Sequence, residues 1–176
     1  MPKATKQIVF DPVGAWEQWY AKGESPVRRD HSGLLAEAAK WLADCAQVED
    51  WGCGACQAKP LFLPGQYVGV DGSPSGGADV VDDLVTRQSE TEGLLMRAVL
   101  EHNPCWRDVL DNALQSFTRR MAMILFLPLK EADEFHAVCG GIPSWYLCKA
   151  DFEARVHPFV KHVKTSGIYT LYELEK

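Results

Sequence analysis

The stretch VEDWGCGAC, residues 48–56, decides how the fold is read, because three kinds of site are compatible with it. Its two closely spaced glycines are typical of a nucleotide-binding turn, where the backbone approaches a ligand that any Cβ would touch. Its two cysteines, Cys53 and Cys56, have the Cys-x-x-Cys spacing of redox sites and of one half of a zinc site. The surrounding sequence has to separate these interpretations.

The segment that follows the glycines favours a nucleotide. A second apolar run, QYVGV at residues 66–70, ends at Asp71, and an acid roughly 20 residues past such a loop is expected to bind ribose hydroxyls. In a doubly wound sheet the ligand lies across the carboxyl ends of neighbouring strands, which brings loop and acid together. Gln57 occupies the position of the third glycine in the dinucleotide pattern Gly-x-Gly-x-x-Gly, so NAD and FAD are disfavoured.

The loop does match another pattern, (V/L)-x-D-x-G-x-G, with Asp50, Gly52 and Gly54 in order. With this pattern the chain resembles the class I, Rossmann-like S-adenosylmethionine-dependent methyltransferases. Further stretches are similar to the segments that follow in that family, and they occur in the same order: YVGVDGS (67–73), ADVVDDL (78–84) and RAVLEHNPCW (97–106). Four motifs in the right order carry far more weight than any one of them.

The resemblance implies a three-layer α/β sandwich with a mostly parallel, seven-stranded, Rossmann-like sheet that ends in an antiparallel hairpin. The residue patterns agree with it. The closing segments PFVKHVKT (158–165) and IYTLYEL (168–174) alternate with a period of two, as an antiparallel pair does. The apolar run MAMILFLPL predicts a strand buried on both faces. Apolar residues three and four apart predict helices at 13–20, 32–46 and 106–117.

The resemblance also implies S-adenosylmethionine as cofactor and S-adenosylhomocysteine as product. The resemblance places the backbone from Gly52 to Gly54 beside the methionine part of the cofactor and Asp71 at its ribose. It places Asp83, followed by Leu84, at the adenine. The predicted cofactor-binding residues are Asp50, Gly52, Cys53, Gly54, Asp71, Gly72, Asp83, Leu84 and Arg97. His102 and Glu101 are the candidate catalytic residues, since an imidazole is suited to proton transfer near neutrality. The alternative is that both side chains only fix a turn before a helix.

Two departures from the family pattern keep a second hypothesis open. Cys56 stands where the family often has a further glycine, and the connection from Asp71 to Ala78 leaves no room for the usual helix. The alternative is a non-catalytic module of the same fold that serves as a partner subunit.

The chain is predicted to have two parts, an aromatic helical cap at residues 1–30 and a cofactor-binding domain at 31–176. Aromatic residues at helical spacing define the cap, and the segment 131–145 is predicted to join it over the acceptor, because variable lids lie over the strand ends. Trp16 and Trp19 are expected to pack in the core, with acceptor contact as the alternative.

Composition limits the possible partners. The net charge of −6 argues against binding duplex nucleic acid, which depends on Lys and Arg neutralising phosphates. A small molecule or a glycan is the favoured acceptor, and a monomer or a homodimer is expected. No segment has the length and apolarity of a signal peptide or a membrane span, so a cytoplasmic protein with free thiols is expected.

The cysteine-based interpretations explain less of the sequence. A redox Cys-x-x-Cys normally opens a helix, but two prolines follow in QAKPLFLPG. A zinc site would need two further ligands, and His136 with Cys139 offers only one His-x-x-Cys at an unusual separation. Both remain alternatives, and no metal is predicted.

Overall fold

The computed structural model describes residues 12–21, 32–139 and 142–176. In this part of the chain the α-helices are α1 (Pro12–Ala21), α2 (Leu34–Trp41), α3 (Trp106–Ser116) and α4 (Lys149–Val156). The strands are β1 (Val48–Trp51), β2 (Tyr67–Asp71), β3 (Val80–Val81), β4 (Thr91–Arg97), β5 (Phe117–Leu125), β6 (Glu134–Cys139), β7 (Ile142–Tyr146), β8 (Val160–Ser166) and β9 (Tyr169–Glu175). Among these residues no helix is both long and apolar enough to cross a membrane.

Seven of these strands form one sheet in the order β3-β2-β1-β4-β5-β9-β8. The pairs from β3 through β5 are parallel, and β9 lies antiparallel to both of its neighbours. This confirms the predicted mostly parallel, seven-stranded sheet with an antiparallel hairpin at one end. Because β1, β2 and β4 run in the same direction, their carboxyl ends lie at one edge of the sheet.

Helices cover both faces of the sheet, which gives the predicted three layers. On one face Leu34, Ala38 and Leu42, from α2 and the residue after it, are buried against β4, β5 and β9. On the other face α3 packs over β4 and β5, and α4 packs against α3 and, through Phe152, against Tyr172 of β9. The central strands are therefore buried on both sides, as their apolar sequences indicate.

The start of α2 agrees with its sequence. The backbone N–H of Leu34 donates to Ser32 Oγ at 3.1 Å, which satisfies one of the unpaired N–H groups at the helix start. Gly33 lies between them with a φ of 73°, in the left-handed region that favours glycine. The helix itself ends at Trp41, earlier than the predicted residue 46, because turns follow it.

The segment 131–145, which is predicted to form part of the lid, has regular secondary structure that the sequence analysis does not predict. It contains strands β6 and β7, which pair antiparallel as a separate two-stranded sheet. The ring of Phe135 packs on Trp145 across the hairpin, with centroids 6.0 Å apart. Aromatic cross-strand pairs of this kind stabilise hairpins. These strands could not be predicted with the others, because apolar and polar residues alternate over too few positions to give a strong sequence signal.

The connection from β2 to β3 is short and has no α-helix, as the sequence predicts. A single 3₁₀ turn, Lys59–Leu61, stands between β1 and β2, and another, Pro74–Gly76, between β2 and β3. The predicted domain boundary at residues 30 and 31 lies outside the described residues, as does most of the predicted cap other than α1.

Candidate functional site

A cavity of about 740 Å³ opens at the carboxyl ends of β1, β2 and β4. Its walls are the loops that follow these strands, together with the residues after β5, strand β7 and helix α1. Ligands of open parallel sheets bind in such a crevice outside the strand ends. All nine predicted cofactor-binding residues line this cavity: Asp50, Gly52, Cys53, Gly54, Asp71, Gly72, Asp83, Leu84 and Arg97.

The glycine loop turns sharply out of β1. Gly52 and Gly54 have φ values of 72° and 53°, in the left-handed region where side chains cause strain. A Cβ on Gly52 would lie 2.5 Å from Cγ2 of Val99. The N–H groups of Gly52 and Cys53 both donate to the Val70 carbonyl, which holds the loop against β2.

Asp71 is oriented by the backbone on both sides of it. The N–H of Gly54 donates to its Oδ2 and the N–H of Ser73 donates to its Oδ1, each at 2.9 Å. A carboxylate has about four acceptor positions, so roughly two stay available to a ligand. Burial raises the pKa of Asp71, while these N–H groups act in the opposite direction. The side chain therefore faces the cavity in a fixed orientation.

Asp50 lies deeper, at the floor of the cavity. It is 4% exposed, and its Oδ2 accepts a hydrogen bond of 2.7 Å from the Tyr67 hydroxyl. Burial raises the pKa of Asp50 to about 7, even though this hydrogen bond favours the ionised form. The carboxyl therefore changes charge near neutral pH.

The adjacent acids Asp82 and Asp83 lie in different surroundings in the structure. Asp83 lines the cavity beside the buried Leu84, and its Oδ1 accepts from the Val85 N–H. Asp82 does not line it, and its carboxylate forms an ion pair of 2.7 Å with Arg87. Of the two acids, Asp83, which is the predicted adenine contact, therefore lies in the cavity wall.

Cys56, the residue that departs from the glycine-rich pattern, adopts a glycine-like backbone with a φ of 52°. Its Sγ lies 3.7 Å from that of Cys53 and 3.4 Å from the carbonyl oxygen of Gly77. Gly69 makes room for this sulfur, since a Cβ there would lie 2.9 Å from it. The loop therefore keeps its turn with a cysteine in place of glycine.

The cysteine side chains that the structure describes are free thiols. Burial raises the pKa of Cys53, and the neighbouring acids Asp50 and Asp71 raise it further. A thiol of this kind is a poor redox nucleophile, because the thiolate is the reactive form. In the described residues no three His, Cys, Asp or Glu side chains form a metal-binding group, and the side chain of Cys139 lies outside them.

Helix α1 lies over the cavity, and it contacts two of the loops that form the cavity wall. Glu17 accepts hydrogen bonds from the hydroxyls of Ser73 and Ser75, in the connection after β2. A Cβ on Gly54 would lie 3.1 Å from the Tyr20 hydroxyl, so this ring stands directly over the glycine loop. Burial, with Asp71 nearby, raises the pKa of Tyr20 and keeps it a neutral phenol.

Trp16 and Trp19 are half-buried cavity residues, so the prediction that they belong to the core was wrong. Their ring centroids are 5.2 Å apart, and Trp16 also meets the ring of His102 edge-on at 5.4 Å. Their helical spacing indicated a shared face, but it could not indicate whether that face meets protein or an open cavity.

His102 lines the cavity, at the end of the chain segment that follows β4. Its ring stacks on Phe126, with centroids 5.0 Å apart and planes inclined by 23°. Its Nδ1 lies 3.0 Å from the carbonyl oxygen of Pro143 and 3.2 Å from the Ser144 hydroxyl. A carbonyl only accepts hydrogen bonds, so in the neutral ring the proton belongs on Nδ1.

Glu101, the other candidate catalytic residue, does not line the cavity. It is completely buried, and its Oε1 accepts from the N–H groups of Phe126 and Leu127 just after β5. Its Oε2 has no hydrogen-bond partner among the residues that the structure describes. The geometry thus matches the alternative interpretation, in which this carboxyl fixes the turn between β4 and α3.

We expect Glu101 to make stability depend on pH. Burial raises its pKa to about 7 from 4.5. The folded state therefore holds a proton that the unfolded state has lost between these values, so the free energy of unfolding falls as pH rises through this window. The slope for one such proton is at most about 1.4 kcal/mol per pH unit. Glu101→Gln should flatten this decline in chemical denaturation at about pH 5 to 8.

Asp50 contributes a decline of the same sign, so the matched comparison is Asp50→Asn, measured over the same range. Each variant should remove its own part of the slope. An unchanged slope in Glu101→Gln would mean that this carboxyl is not held protonated in the folded state.

Comparison with solved structures identifies the fold. Magnesium protoporphyrin IX methyltransferase (ChlM) from Synechocystis PCC 6803, solved with bound SAH, is 15% identical, has a TM-score of 0.65 and is matched over 93% of both chains. The N-methyltransferase NodS from Bradyrhizobium japonicum WM9, in complex with S-adenosylhomocysteine, is 11% identical with a TM-score of 0.66, over 95% of this chain and 99% of that one.

A third similar structure is the 1,6-didemethyltoxoflavin-N1-methyltransferase from Burkholderia thailandensis, with 16% identity and a TM-score of 0.64, covering 90% of this chain and 84% of that one. No protein-family profile matches the sequence, and no curated protein matches it. At these identities the likeness concerns the fold. The chain has the fold of the class I, Rossmann-like S-adenosylmethionine-dependent methyltransferases.

Proposed function

We propose that this protein is an S-adenosylmethionine-dependent methyltransferase. The observation that carries the proposal is the cavity at the ends of β1, β2 and β4, into which Asp71 is directed by the N–H groups of Gly54 and Ser73. Structures of the same fold include complexes with S-adenosylmethionine or its product. The donor set fits this cofactor, since a carboxylate with spare acceptor positions suits a ribose diol.

The cofactor-binding roles follow the cavity wall. The backbone from Gly52 to Gly54, with Cys53 between them, would bind the methionine part, and Asp71 with Gly72 the ribose. Asp83 and Leu84 would bind the adenine, with the apolar side chain packing against the ring. Asp50 lies below the glycine loop, where its carboxylate would support the cofactor ammonium.

Arg97 completes the proposed cofactor site. Its Nη1 donates to Gln57 Oε1 at 3.0 Å, which holds it beside the glycine loop at the end of β4. Its charge also lowers the pKa of the neighbouring Asp50, against the larger effect of burial. Arg97 would therefore adjust the charge at the cavity floor, close to the methyl donor.

S-adenosylmethionine supplies, when bound, a methyl group on a sulfonium, which an acceptor attacks in line. The protein's task is then to align the acceptor and exclude water. Helix α1 serves the second purpose by covering the cavity. His102 is the proposed general base, and it acts only when the acceptor has a proton to lose. A small molecule or a glycan is the proposed acceptor, and free thiols support a cytoplasmic location.

Calorimetry on the full chain tests this proposal. Binding of S-adenosylhomocysteine and S-adenosylmethionine in the range of about 1–100 µM would support it, since enzymes commonly bind substrates near these concentrations. NAD is the control ligand, because the loop lacks the third glycine of dinucleotide sites. A folded wild type that binds neither sulfur compound would leave the non-catalytic module as the better hypothesis.

Binding of S-adenosylhomocysteine is expected to strengthen between about pH 6 and pH 8. The pKa of Asp50 is about 7, and the cofactor ammonium favours its ionised form. Binding therefore releases a proton, and affinity rises with pH until Asp50 is fully ionised. Calorimetry in two buffers of different ionisation enthalpy measures this release. Asp50→Asn should bind more weakly and without the proton release, and a pH-independent wild type would contradict the assignment.

A further inference from the structure

The cavity has a second half in which charged side chains are absent among the described residues. Among the described residues, the charged side chains that line the whole cavity are Asp50, Asp71, Asp83 and Arg97, and all lie in or just after strands β1 to β4. The other half is formed by the residues after β5, by β7 and by α1. The imidazoles in this half are those of His102 and His136.

This absence of charge restricts the acceptor. A buried ammonium without a carboxylate partner, or a buried phosphate without Lys or Arg, loses its hydration without compensation. A sugar would need many hydrogen-bond partners. Asn103 already accepts from the Cys105 N–H, and His136 is exposed and packs on Tyr146. The remaining polar groups are too few to satisfy a sugar's hydroxyls, and this narrows the proposed acceptors from small molecules and glycans to small molecules.

The walls of this half are aromatic. Three rings, Trp16, His102 and Phe126, meet there and are named here the aromatic corner. His102 is nearly parallel to Phe126, and Trp16 is inclined by 89° to His102. Aromatic rings prefer offset-stacked and edge-to-face neighbours, and a corner offers both arrangements to a flat ring. Ile142 and Leu127 extend the apolar wall.

One polar group stands in the corner. The Ser144 hydroxyl is almost completely buried, at 1% exposure for the residue, and lies 3.2 Å from Nδ1 of His102. A serine hydroxyl both donates and accepts, so it is suited to a ligand hydroxyl, which also does both. A single such group in an apolar wall fixes the orientation of a ligand.

We propose that the acceptor is a flat, uncharged aromatic molecule with a ring hydroxyl, bound in the aromatic corner; this rests on the proposed methyltransferase function. The hydroxyl oxygen forms the new bond to the methyl carbon, and the carbon–sulfur bond breaks with its electron pair staying on sulfur. The hydroxyl proton goes to His102 or to water. The products are an aryl methyl ether, S-adenosylhomocysteine and one proton.

The test compares two probes on the full chain saturated with S-adenosylhomocysteine. They are 2-naphthol and its fully saturated analogue, which has the same carbon skeleton and hydroxyl but is neither flat nor aromatic. By calorimetry 2-naphthol should bind at least about tenfold more tightly, because only it stacks on the corner. The anion 2-naphthoate and the cation 2-naphthylmethylamine should also bind at least about tenfold more weakly than 2-naphthol.

The variants Phe126→Leu and Trp16→Leu test whether 2-naphthol binds in the aromatic corner. Each should lower the affinity for 2-naphthol at least about fivefold and leave binding of S-adenosylhomocysteine unchanged. Equal binding of both naphthol probes, with the cofactor product still bound, would overturn the inference and leave the proposed function intact. Loss of both ligands together in both variants would also overturn it. A wild type that fails to bind S-adenosylhomocysteine would instead remove the proposed function itself.

Discussion

Asp71→Ala is expected to lower the affinity for S-adenosylmethionine and S-adenosylhomocysteine by about a hundredfold or more, since two hydrogen bonds to a charged group contribute about 1.5–3 kcal/mol each. The alanine removes the proposed acceptor of both ribose hydroxyls. It also removes the partner of the Gly54 and Ser73 N–H groups, which fix the loops on either side. Cofactor contacts and the preorganisation of the cavity are therefore lost together.

Two variants control this experiment. Asp71→Asn keeps the shape of the side chain and one acceptor oxygen, so its loss of affinity should be smaller than that of the alanine. Asp111→Ala removes an acid that pairs with Arg155 at 2.9 Å and does not line the cavity, so its cofactor affinity should equal that of the wild type. Wild-type affinity in a folded Asp71→Ala would refute the assignment of the ribose site.

The parts of the site that could be predicted from the sequence are those whose residues lie close together in the sequence and form local motifs. The glycines and Asp50 share one turn, and Asp71 ends the next strand, so local patterns are enough to identify them. That these residues meet at one edge of the sheet follows from the same patterns, because parallel strands place their carboxyl ends at one edge. All of these residues line the cavity.

The rest depends on contacts between residues distant in sequence. Glu17 binds Ser73 across 56 positions, and no local pattern couples them. Phe126 belongs to the apolar run that is predicted to be a strand buried on both faces. In the structure it follows β5 and forms part of the cavity wall. Glu101 is of a residue type that often acts as a catalytic acid. The structure shows instead that it is buried and that its carboxyl group accepts hydrogen bonds from backbone N–H groups. Whether a side chain faces protein or a cavity is decided by packing, which sequence spacing does not record.

Gly76→Ala is the variant expected to disturb the cofactor cavity most strongly from a position outside its wall. A Cβ at residue 76 would overlap the carbonyl oxygen of Gly54 and lie 2.9 Å from its carbonyl carbon. The obstacle is backbone, so no side-chain rotation relieves it. Either the glycine loop or the Pro74–Gly76 turn must move, and both adjoin Asp71. We expect a loss of about 1–3 kcal/mol in stability and at least about tenfold in cofactor affinity.

Gly77→Ala is the matched control, one residue further along the same turn. Its φ of 87° makes an alanine strained, but a Cβ there would have nothing within 4 Å. It should therefore cost about 1–2 kcal/mol of stability and leave cofactor affinity unchanged. Denaturation and calorimetry on both variants separate the two effects. Equal losses of affinity would mean that general destabilisation weakens binding, whereas a loss confined to Gly76→Ala means that close contact between the two loops forms the cofactor site.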